Sequence, residues 1–236
     1  MDLKEIIFLP GLGRQFKFLN DNADIRDKSV LITGSNTEII AKKFLKKAKE
    51  VFVIVNDHED LSRMRFNLPD EANLSIRFMD FSNTDFINRK FDIIYAQASI
   101  SRSDRNKILK EFKKILTQEG LFCTGEIVSI SENPPQFVKD LWQQSNLSPL
   151  NINKIEDYYK EKGFQLIESK DLSDSLKKFY TLSNDLLKET ASGLNTEEKK
   201  YYRKLITHME HETKVYLKLG GHRHIGFKTF LFKHAE

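Results

Sequence analysis

Along the first half of the chain, apolar stretches alternate with stretches whose apolar residues recur every three or four positions. SVLITG (29–34) and VFVIV (51–55) are near-continuous apolar runs, as expected of strands buried on both faces. LSIRFMD (74–80), FDIIYAQ (91–97) and LFCTGEIV (121–128) predict three more strands. Between them, TEIIAKKFLKKAKE (37–50) gathers Ile39, Ile40, Phe44, Leu45 and Ala48 on one helical face. HEDLSRMRFNL (58–68) reads as a helix stopped by Pro69. SDRNKILKEFKKILTQEG (103–120) reads as an amphipathic helix, with Ser103 as its cap and Gly120 just past its end.

The rhythm changes after residue 128. A Pro-rich stretch is followed by a short helix, then by a helix ending at Gly163 and a strand near 164–169. Two long helical patterns, 174–191 and 196–219, precede a closing strand at about 224–233. Strands alternating with helices imply a parallel sheet with helices on both faces. The expected architecture is therefore α/β: a doubly wound, mostly parallel sheet of seven strands in one domain. Its core covers 25–170 and 220–236. A helical lid occupies 172–219, and a segment 1–24 precedes the first strand. Ligands of such sheets bind outside the carboxyl ends of the strands, which puts the loop 34–38 at a binding edge.

Composition narrows the classes. The chain has 236 residues, 39% of them hydrophobic and 31% charged, enough for a core and a solvated surface. No apolar run reaches the roughly 18 residues that span a bilayer, and the first fifteen residues do not read as a signal peptide. A membrane role is not expected. The single cysteine, Cys123, excludes an internal disulfide and argues against a Cys-rich metal centre. A cytoplasmic location is the expectation. The net charge of +4 is spread over helix-like segments, so no nucleic-acid partner is expected.

The order of elements resembles the class I S-adenosylmethionine-dependent methyltransferases, a Rossmann-like family. VLITGSNTE (30–38) sits where the family has VLDIGCGTG. Val30, Leu31, Gly34 and Thr37 match, Ile32 replaces the acid, and Asn36 and Glu38 replace the second and third glycines. FMDF (78–81), FDIIYAQASI (91–100), EFKKILTQEGLFCTGEI (111–127), IEDYYKEKGFQLIESKDL (155–172) and GGHRHIGFKTFLFKH (220–234) resemble its later segments. The resemblance covers about 25–170 and 220–234. The long helical insert is similar to that of members acting on small molecules.

The resemblance implies methyl transfer from S-adenosylmethionine to a small-molecule acceptor held under the lid. The alternative it leaves open is a catalytically inactive member that binds or scaffolds. A nicotinamide-type oxidoreductase of the doubly wound class is disfavoured by the absence of GxGxxG. The implied cofactor residues are Gly34, Ser35 and Asn36 in the first loop and Asn56 or Asp57 for the ribose. Asp80 and Phe81 would serve the adenine, and Gln97 ends the fourth strand. Methyl transfer chiefly needs positioning and exclusion of water, with a base only for a protonated acceptor. Tyr95, Gln97 and His211 are the catalytic candidates, and Glu126 a further one. His208, His211 and Glu212 fall within about one helical turn of each other, but no metal site is expected of them. Aromatic residues including Trp142, Tyr180, Tyr201, Tyr202 and Tyr216 would pack between lid and sheet. An exposed part of that face could support a homodimer.

Overall fold

The computed structural model describes residues 7–193 and 196–234, without the side chains of 187, 188, 190–192 and 196–206. The first six residues of the segment 1–24, and the side chains of Tyr201 and Tyr202, thus lie outside the described residues. After α1 (Arg14–Asn22), the chain runs β1 (Ser29–Thr33), α2 (Glu38–Leu45), β2 (Glu50–Val55), α3 (His58–Asn67), β3 (Leu74–Phe78) and β4 (Phe91–Gln97). It continues through α4 (Arg105–Ile115), β5 (Leu116–Ser129), α5 (Gln136–Gln144), β6 (Leu150–Asn151), α6 (Ile155–Glu161) and β7 (Phe164–Asp171). Two long helices, α7 (Ser175–Gly193) and α8 (Thr196–Leu217), lead into β8 (Ile225–His234).

The sheet order is β3-β2-β1-β4-β5-β8-β7, with β8 antiparallel to both neighbours. The seven expected strands are all present. An eighth, the two-residue β6, pairs with the end of β5. Strand side chains alternate between two layers. Leu31, Ile94 and Phe122 pack with Ile108 and Phe112 of α4 and Tyr159 of α6. Val30, Ile32, Val53 and Tyr95 pack with Leu19 of α1, Phe44 of α2 and Met64 of α3.

A third apolar cluster lies at one end of the sheet. There Ile127, Ile225 and Phe227 meet Val138 and Trp142 of α5, Leu176 and Tyr180 of α7, and Val215 and Tyr216 of α8. The rings of Tyr180 and Tyr216 stack at 4.5 Å. The insert expected at 172–219 is therefore a helical pair seated on this cluster.

The helix expected over 103–120 ends earlier, at Ile115, because Leu116 pairs with Phe91 and begins β5. Gly120 consequently lies within the strand and caps nothing. A Cβ there would come within 2.7 Å of Leu116. The residue at the helix start is Asp104 rather than Ser103, and its side chain makes no cap hydrogen bond. Both of its carboxylate oxygens accept from Arg102 instead. No described helix is long and apolar enough to cross a membrane.

Candidate functional site

The carboxyl ends of β1, β2 and β4 open onto a cleft of about 500 Å³, a size typical of small-molecule sites. The loop after β1 forms one wall. Gly34 has φ +105°, and a Cβ on it would lie 2.7 Å from the Ser99 Cβ, so only glycine fits. Its N–H donates to Ile54 O at 3.0 Å, and its carbonyl accepts from the Thr37 hydroxyl at 3.1 Å. Asn36, at the second glycine position of the motif, has φ +57°. Asparagine tolerates this left-handed region better than other non-glycine residues. The loop thus keeps the backbone path that the lost glycine would allow.

Glu38, at the third glycine position, does not narrow the cleft. It opens α2, where a carboxylate is favourable, and its carboxylate pairs with Arg63 of α3 at 3.1 Å. Arg63 also holds Asp60 at 2.5 Å, and Asp60 accepts the Ser35 hydroxyl. An ionic bridge therefore ties the first loop to α3 behind the cleft wall.

Of the eight residues expected at the cofactor, Gly34, Ser35, Asn36, Asn56, Phe81 and Gln97 line the cleft. Asp57 and Asp80 do not. Asp57 caps α3, accepting from the amides of Glu59 at 2.8 Å and Asp60 at 3.1 Å. Asp80 is exposed and accepts the Ser82 amide at 2.8 Å and the Ser82 hydroxyl at 2.9 Å. The Ser82 amide, then its hydroxyl, with Arg102 and Lys107 further off, hold the Asp80 carboxyl below its ordinary range against a small opposing effect of burial.

The catalytic candidates are placed differently from expectation. Gln97 is a clamp. Its amide nitrogen donates to Pro10 O at 2.7 Å and Leu12 O at 2.9 Å, and its oxygen accepts the Tyr95 hydroxyl at 2.7 Å. With both amide hydrogens taken, Gln97 holds the segment before α1 against the cleft, where Leu9 joins the wall. That segment also touches the helical insert through Phe8 with Phe179, and Arg14 at the start of α1 adds an ion pair with Asp174 at 2.6 Å.

Tyr95 faces the core instead of the cleft, packed edge-on against Phe16 and Phe44. Burial, with a contribution from Cys123, pushes its hydroxyl pKa well above the ordinary value, so it keeps its proton and orients Gln97. Glu126 is sealed. Its carboxylate accepts from Arg105 at 2.9 Å, from Ser101 at 3.0 Å and from the Tyr159 hydroxyl. Burial works against the Arg105 charge, but the Glu126 carboxylate beside it raises the guanidinium pKa. His211 is exposed on α8 and lines no part of the cleft. Its neighbour His208 turns inward, 3.3 Å from the hydroxyl of Ser145, which does line the cleft. Among the described residues, no group of three or more His, Cys, Asp or Glu is arranged to hold a metal ion.

Sequence reasoning did not single out Ser99, Arg102, Ser103, Asp104, Ser145, Asn146 or Leu147 as wall residues. The first four follow β4 and were reachable by extending the strand-end rule one loop further. Ala98, which precedes them and also lines the cleft, has φ +57°, a strained conformation of the kind that marks functional loops. The three residues after α5 carry no local signal. They reach the cleft because the Asn146 and Leu147 amides bond back to Gln143 O and Trp142 O.

Residues 31–124 match the family model of the methyltransferase domain. No curated protein matches the sequence significantly. Among solved structures, the chain is similar to a protein assigned as a sarcosine dimethylglycine methyltransferase from Galdieria sulphuraria, with a TM-score of 0.71 at 14% identity over 94% of this chain and 84% of that one. A methyltransferase from Geobacter sulfurreducens, in complex with S-adenosyl-L-homocysteine, gives 0.70 at 12% over 97% and 93%. Phosphoethanolamine N-methyltransferase 2 from Haemonchus contortus, solved with phosphomonomethylethanolamine and S-adenosylhomocysteine, gives 0.74 at 14%, covering 95% of this chain and 53% of its own. Identities this low carry the fold alone: the chain has the fold of the class I S-adenosylmethionine-dependent methyltransferases, and its segment 31–124 matches the methyltransferase domain.

Proposed function

We propose that the chain transfers a methyl group from S-adenosylmethionine to a small-molecule acceptor. The observation that carries this reading is convergence: Gly34, Ser35, Asn36, Asn56, Phe81 and Gln97, drawn from four successive strand ends, line one cleft. The residues suit the cofactor. The close approach of Gly34 to Ser99 leaves the loop backbone bare of side-chain bulk. The Asn56 amide can take the ribose hydroxyls, and Phe81 offers an apolar face to the adenine with Asp80 beside it. When bound, the cofactor supplies a methyl carbon whose bond to sulfur breaks as an acceptor lone pair forms the new bond, the sulfur keeping the electron pair.

The chain's own contribution is placement and dryness. Gln97 fixes the Pro10–Leu12 backbone beside the cleft, while α5 brings Ser145 to the acceptor side. Small-molecule acceptors in the Haemonchus complex support the same acceptor class here.

Calorimetric titration with S-adenosylhomocysteine tests this. Micromolar binding is expected, lost in Gly34→Val while circular dichroism still reports a folded chain. No binding at millimolar ligand, or binding of NAD(H) in its place, would overturn the reading. Binding without any turnover would leave the inactive member of the family as the answer.

A further inference from the structure

Three polar groups meet where Ser145, the residue after α5 on the cleft wall, touches α8. Ser145, which follows α5 and lines the cleft, donates to Glu212 Oε1 at 2.5 Å. The His208 Nε2 lies 3.1 Å from the same carboxylate oxygen and 3.3 Å from the Ser145 hydroxyl. His208 and Glu212 are one turn apart on α8, and both are partly buried. The geometry is not that of a hydrolytic relay. A relay places carboxylate and serine on opposite nitrogens of the imidazole, whereas here both sit at Nε2.

A bound ammonium selects the tautomer with the imidazole proton on Nδ1, and Nε2, Oε1 and Oγ, within 3.3 Å of one another, then each accept one of its hydrogens. An ammonium carries three N–H donors; a hydroxyl carries one. Charge points the same way. Asp104, also on the cleft wall, is neutralised by Arg102 at 3.1 Å. Among the described residues no lysine or arginine pairs with Glu212, so no fixed cation competes with a ligand for its carboxylate. That charge is felt nearby, since burial first and Glu212 second push the Tyr180 hydroxyl well above its ordinary pKa. The seam is also not closed by its own hydrogen bonds. The Trp142 indole N–H and the Thr213 hydroxyl, on the same two helices, have no partner.

We propose that the methyl acceptor is an amine, received as an ammonium by Ser145, His208 and Glu212 where α8 meets the cleft wall. This rests on the methyl-transfer reading of the cleft. Glu212 supplies the countercharge. His208 takes one ammonium proton at Nε2, which frees the nitrogen lone pair for the new N–C bond. The imidazolium then returns that proton to solvent, and the product leaves as the methylated ammonium. Ser145 gives its own proton to Glu212 and keeps its lone pairs for the substrate.

Tyramine, which carries one amine and one phenol, separates the acceptor classes, with ethanolamine as the smaller amine and 4-cresol as the phenol lacking an amine. Each is titrated into protein saturated with S-adenosylhomocysteine, and the methylated product from S-adenosylmethionine is identified by mass spectrometry. The expected result is binding of at least one amine, no binding of 4-cresol, and methyl on nitrogen. Glu212→Gln should weaken the amine about tenfold or more, the loss of a charge-assisted hydrogen bond, with the affinity for S-adenosylhomocysteine unchanged. Ser145→Ala should weaken it less. Cresol binding as well as tyramine, methyl on oxygen, failure of both amines to bind, or an unaltered Glu212→Gln would each overturn the amine assignment alone. Failure of S-adenosylhomocysteine itself to bind would overturn the methyl-transfer reading and this inference with it.

Discussion

The two ends of the cleft are built by different means. At the β1 end, the backbone does the shaping: Gly34 at φ +105°, Asn36 at φ +57°, and an α3 whose first amides are capped by Asp57. At the α5–α8 end, side chains far apart in sequence do it, Ser145 meeting Glu212 sixty-seven positions later. Backbone-held geometry is rigid and costly to perturb. Side-chain-held geometry costs little to alter and is where specificity can drift. The same contrast separates two carboxylates. Glu126 is wholly buried with Arg105, Ser101 and Tyr159 around it, whereas Glu212 is partly open to solvent and, among the described residues, meets only the Ser145 hydroxyl and the His208 imidazole.

The carboxylates give the largest expected difference. Glu126→Ala strands a buried arginine and should cost about 3–5 kcal/mol of stability in a denaturant titration. Glu212→Gln should stay within about 0.5 kcal/mol of the parent, as surface changes do. Equal losses would erase the distinction between a structural and a ligand-facing carboxylate. At the loop, Gly34→Val combines a forbidden φ with a collision on Ser99 and should cost about 2–3 kcal/mol as well as cofactor binding. Asn36→Ala puts a less tolerant residue in the left-handed region, at about 1–2 kcal/mol. Asn36→Gly should be neutral or mildly stabilising, and a loss there would mean that the asparagine side chain has work beyond tolerating its φ.

Adjacent residues sharpen the comparison further. Asp57→Ala removes a helix cap and should cost about 1 kcal/mol by thermal unfolding, leaving the affinity for S-adenosylhomocysteine unchanged. Asn56→Ala should do the reverse, weakening affinity with little change in stability. The smallest effect is a pH dependence. Glu111 accepts the Thr84 amide at 3.0 Å and hydroxyl at 2.7 Å, and Lys114 lies at 3.0 Å. Burial opposes its charge, but these partners hold its pKa below the ordinary value. A depressed carboxyl contributes stability that is fully present above its unfolded pKa, near about 4.3, and is lost as pH falls through the folded value. The acid limb of the parent's stability curve should therefore be steeper than that of Glu111→Gln. Thr84 lies in the loop that also carries Phe81 of the cleft wall.

What could be seen in the sequence follows the same division. The strand runs and the first loop have local causes, and the structure places them where the pattern did, apart from the early start of β5 at Leu116. Gly34, Ser35, Asn36, Asn56, Phe81 and Gln97 were recoverable because each stands at a strand end or in a loop after one. The choice between Asn56 and Asp57 was not, since it turns on which one the first amides of α3 recruit as a cap. Tyr95 and Glu126 have residue types suited to proton transfer, but a sequence does not display the Gln97 clamp or the Arg105 partner that occupies them. His211 and His208 differ only in which side of α8 faces α5, and that is set by the cluster beneath the helix. Ser145 had no local mark at all.

The most direct measurement is a nitrogen–proton correlation spectrum of the labelled protein titrated with S-adenosylhomocysteine. Shifts are expected to concentrate at the amides of Gly34, Ser35, Asn36, Asn56, Phe81 and Gln97, with little change at Glu119 or Leu166, which line a separate pocket. Shifts centred away from these strand ends, or none at saturating ligand, would contradict a cofactor site in this cleft.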